Sequence, residues 1–242
     1  MSPPSPSNES GANLLPWSER WAERRIGFHL EDDVNGALAA HGAALLSRAA
    51  DDDDDDDEES LVRVFVPLCG KARDMAFLSR HERVQQVVGV EGIQTALVEF
   101  AQDHPTLQIK EKQEAPTESS GAFSVFQGNK IMLLKGDFFK LTEQDMGGKV
   151  DAVFDRGSLV AIQPDMREAY VKVMRSLMAR GGKILLVALE HKEGKGPPFA
   201  VDEAEVRRLY QDWAESIEQL NPNETEVDPS GRLERLYMIR VK

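Results

Sequence analysis

LVRVFVPLCGK, residues 61–71, is an apolar, β-branched run that stops at Pro67, Leu68, Cys69, Gly70 and Lys71. A run of this kind with turn chemistry at its end reads as a buried strand emptying into a loop. A helical pattern follows over Ala72–Arg83, then a second buried strand at Val87–Val90 that ends in Glu91. Glu91 lies 21 positions after Gly70. Strand, loop, helix, strand and acid at that spacing match the βαβ nucleotide-binding plan, where the acid accepts hydrogen bonds from ribose hydroxyls. The loop holds one glycine, Gly70, and not G-x-G-x-x-G. A dinucleotide needs several glycines to bring backbone against its pyrophosphate. S-adenosylmethionine has a ribose and no phosphate, so one glycine suffices. The turn therefore speaks against NAD and is compatible with S-adenosylmethionine.

Outward from this unit, the 242 residues are enough for one α/β domain, read as 14–242 behind a Pro/Ser/Asn-rich, disordered segment 1–13. Net charge is −13, of which residues 51–59, seven Asp and two Glu, supply −9. That run reads as a solvated acidic loop, without the spaced ligands and turn glycine of a calcium site. The rest of the chain has no basic stripe, which argues against nucleic acid or an anionic membrane as partner. There is no run of 18 apolar residues and no signal-peptide pattern, and the chain has a single Cys. These features fit a cytoplasmic, reducing setting, and no His/Cys cluster has metal-ligand spacing.

Trp17 and Trp21 share one helix face ahead of Phe28. They read either as a staple onto the domain or as an aromatic lid over a ligand. Residues 37–50 and Thr95–Gln102 read as helices. FSVFQ-GN-KIMLLKGDFF (123–139) reads as a hairpin whose second arm enters the sheet and ends at Asp137 and Phe138. This pair could take an adenine amine and an adenine face, or be a helix cap and a core ring. KVDAVFDRGSLVAIQP (149–164) is the next strand and its exit, with Asp155 and Arg156 where the strand runs out. In an open parallel sheet those carboxyl ends hold the ligand, although a surface ion pair is the plain alternative. A helix over Asp165–Ala179 stops at Gly181-Gly182, KILLVALEH is a fifth strand, and a Gly/Pro loop leads to a helix capped by Asp202. Ser216–Glu224 and RLERLYMIRVK close the chain as an antiparallel hairpin. Cys69 reads as a loop cysteine without a His partner; His29 and His191 are the histidines near the proposed site loops.

VFVPLCGKARDMAFL, VVGVE, FDRGSLVAIQP, GPPFAVDEAEVRRLY and the N-terminal Trp17, Trp21, Phe28 and His29 together resemble the thiopurine S-methyltransferase family, over about residues 14–215. The resemblance implies a Rossmann-like class I methyltransferase: an α/β fold with a seven-stranded mixed sheet, helices on both faces and a C-terminal antiparallel hairpin. It implies S-adenosylmethionine as cofactor, S-adenosylhomocysteine as product and a small thiol or chalcogen acceptor; no metal is expected, and nothing in the sequence demands more than a monomer. It places cofactor contacts on Trp17, Trp21, Leu68, Glu91, Asp137, Phe138 and Arg156, beside the turn glycine Gly70. It lines the acceptor pocket with Phe28, the DRG-x-L-V-A loop and Pro197, Pro198 and Phe199. Arg156 is expected to favour a thiolate, with Asp155 orienting it. The plant-type halide and thiol branch resembles P-G-C-G and D-Y where this chain has PLCGK and DRG. Family members often carry an Arg and a Trp before the last strand; here Arg232 lies beside the turn and residues 216–242 contain no Trp. A dehydrogenase on the same βαβ start and a non-catalytic cofactor binder are the rival readings.

Overall fold

The computed structural model describes residues 17–26, 34–47, 61–112, 123–192 and 196–242. The expected disordered segment 1–13, the acidic run 51–59, Phe28 and His29 lie outside the described residues.

The helices are α1 (Gly36–Leu46), α2 (Arg73–Ser79), α3 (Gln94–Asp103), α4 (Arg167–Leu177) and α5 (Glu203–Tyr210), with residues 17–22 helical ahead of them. The strands are β1 (Val62–Val66), β2 (Val84–Glu91), β3 (Lys110–Glu111), β4 (Ser124–Gly128), β5 (Ile131–Lys135), β6 (Val150–Arg156), β7 (Met178–Glu190), β8 (Ala214–Gln219) and β9 (Leu233–Val241). All nine join one sheet in the order β3-β4-β5-β2-β1-β6-β7-β9-β8. The pairs β5/β2, β2/β1, β1/β6 and β6/β7 are parallel, and both edges are antiparallel.

The expected seven strands are thus nine. The first arm of the predicted hairpin, β4, stays in the sheet along all of β5, Ser124 opposite Lys135 through Gly128 opposite Ile131. The polar stretch before it contributes the two-residue β3, which covers β4's outer edge. Other boundaries move as well. α2 ends at Ser79, and β2 starts at Val84, three residues before the apolar run. α4 ends at Leu177 because Met178 already pairs with Val150 in the sheet.

The central strands are buried on both faces, as their uninterrupted apolar runs require. Val64 and Val66 point to one layer and Phe65 to the other; Val87 and Val88 divide likewise. The first layer packs against α1, α2 and α3 through Leu38, Leu45, Met75, Leu78, Leu97 and Phe100. The second packs against α4 and α5 through Tyr170, Met174, Leu177, Val206 and Tyr210. Gly89 on β2 is required by this packing: a Cβ there would lie 2.7 Å from Cys69 Sγ and 2.9 Å from Met75 Sδ. β1 has β2 on one side and β6 on the other, so the chain order reverses there. The carboxyl ends of β1, β2 and β6 open at that switch point, where ligands bind in sheets of this type.

Candidate active site

The PLCGK turn leaves β1 with Leu68 at φ 41° and Gly70 at φ 51°, both in the left-handed region. Leu68 has a Cβ, so its conformation is held by the surroundings and not by preference. The holding contacts are in place. Cys69 N–H donates to Val90 O at 2.9 Å, Gly70 N–H to Glu91 Oε2 at 2.9 Å, and Ser158 Oγ–H to Pro67 O at 2.6 Å. Glu91 Oε1 accepts from Ile93 N–H at 2.8 Å. Burial pushes the Glu91 carboxyl above the usual range, opposed by these backbone donors. Each carboxylate oxygen carries two lone pairs, so one accepted bond apiece leaves acceptor capacity for hydroxyls. Cys69 is buried against Gly89 and its thiol is pushed up by burial, which makes it a packing residue and not a nucleophile.

Beside Glu91, Gly136 N–H donates to the Glu91 backbone carbonyl at 3.0 Å and brings the end of β5 alongside. Asp137 then caps a short 3-10 turn, Oδ1 accepting from Phe139 N–H at 3.0 Å. Its second oxygen, Oδ2, is buried without a hydrogen-bond partner. A buried acceptor left bare is costly unless a ligand donor meets it. The Phe138 ring is 2% exposed and stacks on Tyr170 at 4.6 Å and Phe65 at 6.4 Å, so the ring belongs to the core.

At the end of β6, Asp155 is fully buried and accepts from Tyr170 Oη–H at 2.8 Å and Leu159 N–H at 3.1 Å. Burial raises its carboxyl to about 6, against those donors. Through Tyr170 and Leu159 the fully buried Asp155 braces the loop after β6. Arg156 is half-buried, near enough to Asp74 of α2 to lower that buried carboxyl's pKa, which burial raises overall. Asp74 also accepts from Asn35 N–H at 2.8 Å and fixes the start of α1.

In the Gly196–Phe199 loop the Gly196–Pro197 and Pro197–Pro198 peptide bonds are both cis. Phe199 N–H donates to Val160 O at 2.6 Å, which ties this loop to the DRGSLVA segment. Val201 N–H donates to Leu189 O, Arg167 Nη2–H to Ala200 O at 2.9 Å, and His191 Nε2 to Pro198 O at 3.1 Å. Pro197, Pro198 and Phe199 are half-buried.

The N-terminal segment packs on the start of α3: Trp21 and Ile26 are buried against Ile93 and Ala96, and Trp17 sits partly buried at that cluster. The Arg20 guanidinium lies 5.1 Å over the Trp17 ring. Glu99 receives both Arg24 at 2.7 Å and Lys71 of the turn at 3.0 Å. Leu68, Gly70, Glu91, Asp137 and Arg156 therefore all lie at the carboxyl ends of the parallel strands β1, β2, β5 and β6, with Trp17 and Trp21 in the cluster at Ile93, two residues past Glu91. Sequence reasoning missed Ser158, Tyr170, Glu99 and Asp74. Ser158 lies within DRGSLVA and Asp74 within PLCGKARDM, so the motifs contained them, but nothing in spacing says which residue braces which.

Among the described residues, no group of three His, Cys, Asp or Glu could hold a metal ion, and no helix is long and apolar enough to cross a membrane. The family model for thiopurine S-methyltransferase matches residues 12–236. A thiopurine S-methyltransferase of Marinobacter nauticus is 36% identical over 197 residues, covering 80% of each chain. One of Pseudomonas putida is 31% identical over 233 residues, covering 92% of this chain and 97% of its own. Among solved structures, a Burkholderia thailandensis 1,6-didemethyltoxoflavin-N1-methyltransferase with bound S-adenosylhomocysteine superposes with a TM-score of 0.60 at 16% identity, over 100% of this chain and 92% of that one. That likeness shows the class I methyltransferase fold. With the family model spanning nearly the whole chain, this protein belongs to the thiopurine S-methyltransferase family and is an S-adenosylmethionine-dependent methyltransferase.

Proposed function

We propose that the protein methylates the sulfur of a small aromatic or heterocyclic thiol. The observation that carries the cofactor half is Glu91 at the carboxyl end of β2, beside the switch point of the sheet, tied to the PLCGK turn through Gly70 N–H and with acceptor capacity left on its carboxylate. The acceptor half rests on the name that the relatives carry.

The residues present fit S-adenosylmethionine. Glu91 would accept from the ribose hydroxyls, Asp137 Oδ2 from the adenine amine, and the Leu68–Gly70 backbone would flank the methionine part, with Trp17 and Trp21 covering it. When bound, the cofactor supplies an already activated methyl group. The chain's own task is alignment and exclusion of water, and holding two reactants in line contributes about 7–11 kcal/mol. Arg156 would favour the ionised sulfur. The loops at Leu159–Ala161 and Pro197–Phe199, joined through Phe199 N–H and Val160 O, would wall the acceptor.

The test is calorimetric titration with S-adenosylhomocysteine and with NADH, followed by 6-mercaptopurine and thiophenol with labelled S-adenosylmethionine. S-adenosylhomocysteine should bind, NADH should not, and label should appear on sulfur. Absence of S-adenosylhomocysteine binding would overturn the cofactor site. Binding without transfer would overturn the thiol reading and open the acceptor to halides or selenium species.

A further inference from the structure

Glu99 on α3 holds two cations from two different parts of the chain. Its Oε1 accepts from Arg24 Nη1–H at 2.7 Å, and its Oε2 pairs with Lys71 Nζ at 3.0 Å. Lys71 ends the PLCGK turn, next to Gly70, whose N–H rests on Glu91. Arg24 lies three residues past Trp21, in the segment that packs on Ile93 and Ala96. Ile93, Ala96 and Glu99 are three apart and share one face of α3. That face receives the N-terminal segment twice, through apolar burial at its start and through a carboxylate further along. The two arms of Glu99 are unequal. The Lys71 and Glu99 side chains are 18% and 15% exposed, and Asp103 Oδ2 supports Lys71 at 3.5 Å, so water and salt screen this arm little. The Arg24 side chain is 69% exposed, and its arm is a surface pair. Yet Arg24 stands at φ 57°, in the left-handed region that glycine adopts most readily. Arg24 N–H reaches back to Trp21 O and Arg25 N–H to Arg20 O, so the helix ends on this residue. A side chain thus occupies a backbone position that glycine would fill with less strain, and its guanidinium reaches Glu99.

We propose that Glu99 is a positioning residue for the cofactor: through Lys71 and Arg24 it sets the segment bearing Trp17 and Trp21 against the PLCGK turn. The proposal rests on the reading of that turn and Glu91 as the cofactor's seat. Elements already fixed relative to each other need no ordering when the ligand arrives, and affinity gains by that much. Lys71 acts here by gripping α3, not by touching the ligand.

Calorimetric titration with S-adenosylhomocysteine tests this. Glu99→Gln keeps the shape and removes the charge, and should weaken binding about tenfold. Lys71→Met should weaken it about fivefold, and Lys71→Arg, which keeps a cation on Glu99, should stay within about twofold of wild type. Arg24→Gly should weaken it about threefold while its unfolding midpoint is kept or raised, because glycine suits that φ. In the Glu99→Gln background, Lys71→Met and Arg24→Gly should each change affinity less than about twofold, since the shared partner is already gone. Losses that multiply would overturn the proposal, because Lys71 or Arg24 would then act on the cofactor without Glu99. Affinity of Glu99→Gln within about twofold of wild type would overturn it too, as would Lys71→Arg falling as far as Lys71→Met. Glu99→Ala takes the place of Glu99→Gln, with the same expectations, if the Gln variant does not fold. Failure of wild type to bind S-adenosylhomocysteine would instead overturn the cofactor reading itself, and the proposal with it.

Discussion

Replacing Asp155 by Asn should change how stability depends on pH. Asp155 is fully buried, and its carboxyl is raised from the ordinary 3.8 to about 6 by that burial. A raised folded-state value means that the folded protein holds the proton after the unfolded chain has released it. The contribution is fully present below pH 3.8, is lost as pH rises through about 6, and is constant beyond. The whole loss is about 3 kcal/mol, and about 2.5 kcal/mol of it falls between about pH 4 and pH 7.5. Asn does not titrate, so the variant lacks this loss while sharing every other acid-linked effect. Equilibrium urea unfolding of both proteins at the two pH values isolates the difference. The stability gap, wild type minus variant, should shrink by about 2.5 kcal/mol from the lower to the higher pH. A gap that stays the same within about 0.5 kcal/mol would refute the reasoning, because the buried carboxylate would then cost nothing. Asp155 would have to be solvated in the native state, and its role as the shaper of the loop after β6 would go with it.

Three further outcomes are expected. Glu91→Gln loses one acceptor oxygen in the ribose position and should weaken S-adenosylhomocysteine binding by at least about tenfold, about 1.4 kcal/mol; equal affinity by calorimetry would refute the assignment. Gly89→Ala forces a Cβ to 2.7 Å from Cys69 Sγ and should cost about 1–3 kcal/mol, read as a lowered denaturant midpoint. An unchanged midpoint would mean that α2 and the turn yield freely. Arg156→Ala should raise the KM for a thiol acceptor or lower kcat, and unchanged kinetics on both would remove Arg156 from the mechanism.

The parts of this fold that could be read in the sequence are those where one-dimensional pattern and three-dimensional role coincide. β1 and β2 are buried on both faces, so their apolar runs are uninterrupted and end sharply in turn chemistry. Glu91 stands out because the unit needs an acid at a fixed distance from Gly70. The hairpin around Gly128 and Asn129 was equally plain, but its first arm stays in the sheet because β5 has an open edge, and only the assembled sheet has edges. The fate of side chains at strand ends was less legible. Asp155 and Arg156 are neighbours in sequence, but alternation along β6 buries the first under Tyr170 and leaves the second half-buried. Phe138 follows Asp137 and turns into the core between Phe65 and Tyr170, which nothing in GDFF distinguishes from a ring facing a ligand. The contact of His191 with the Pro198 carbonyl joins residues seven apart across a Gly/Pro loop that has no periodic signal at all.

The hydrogen bond from Ser158 to Pro67 joins two segments that are 91 residues apart in the chain. One belongs to the PLCGK turn after β1 and the other to the loop that follows Arg156. A single hydroxyl therefore acts as a dowel between the two halves of the frame. Their relative position is set when the sheet folds, before any small molecule arrives. An in-line reaction tolerates little sideways error, and here the tolerance is machined into the scaffold. On the proposed function, the spacing between the two reactants' seats is thus fixed by the scaffold and not by either occupant.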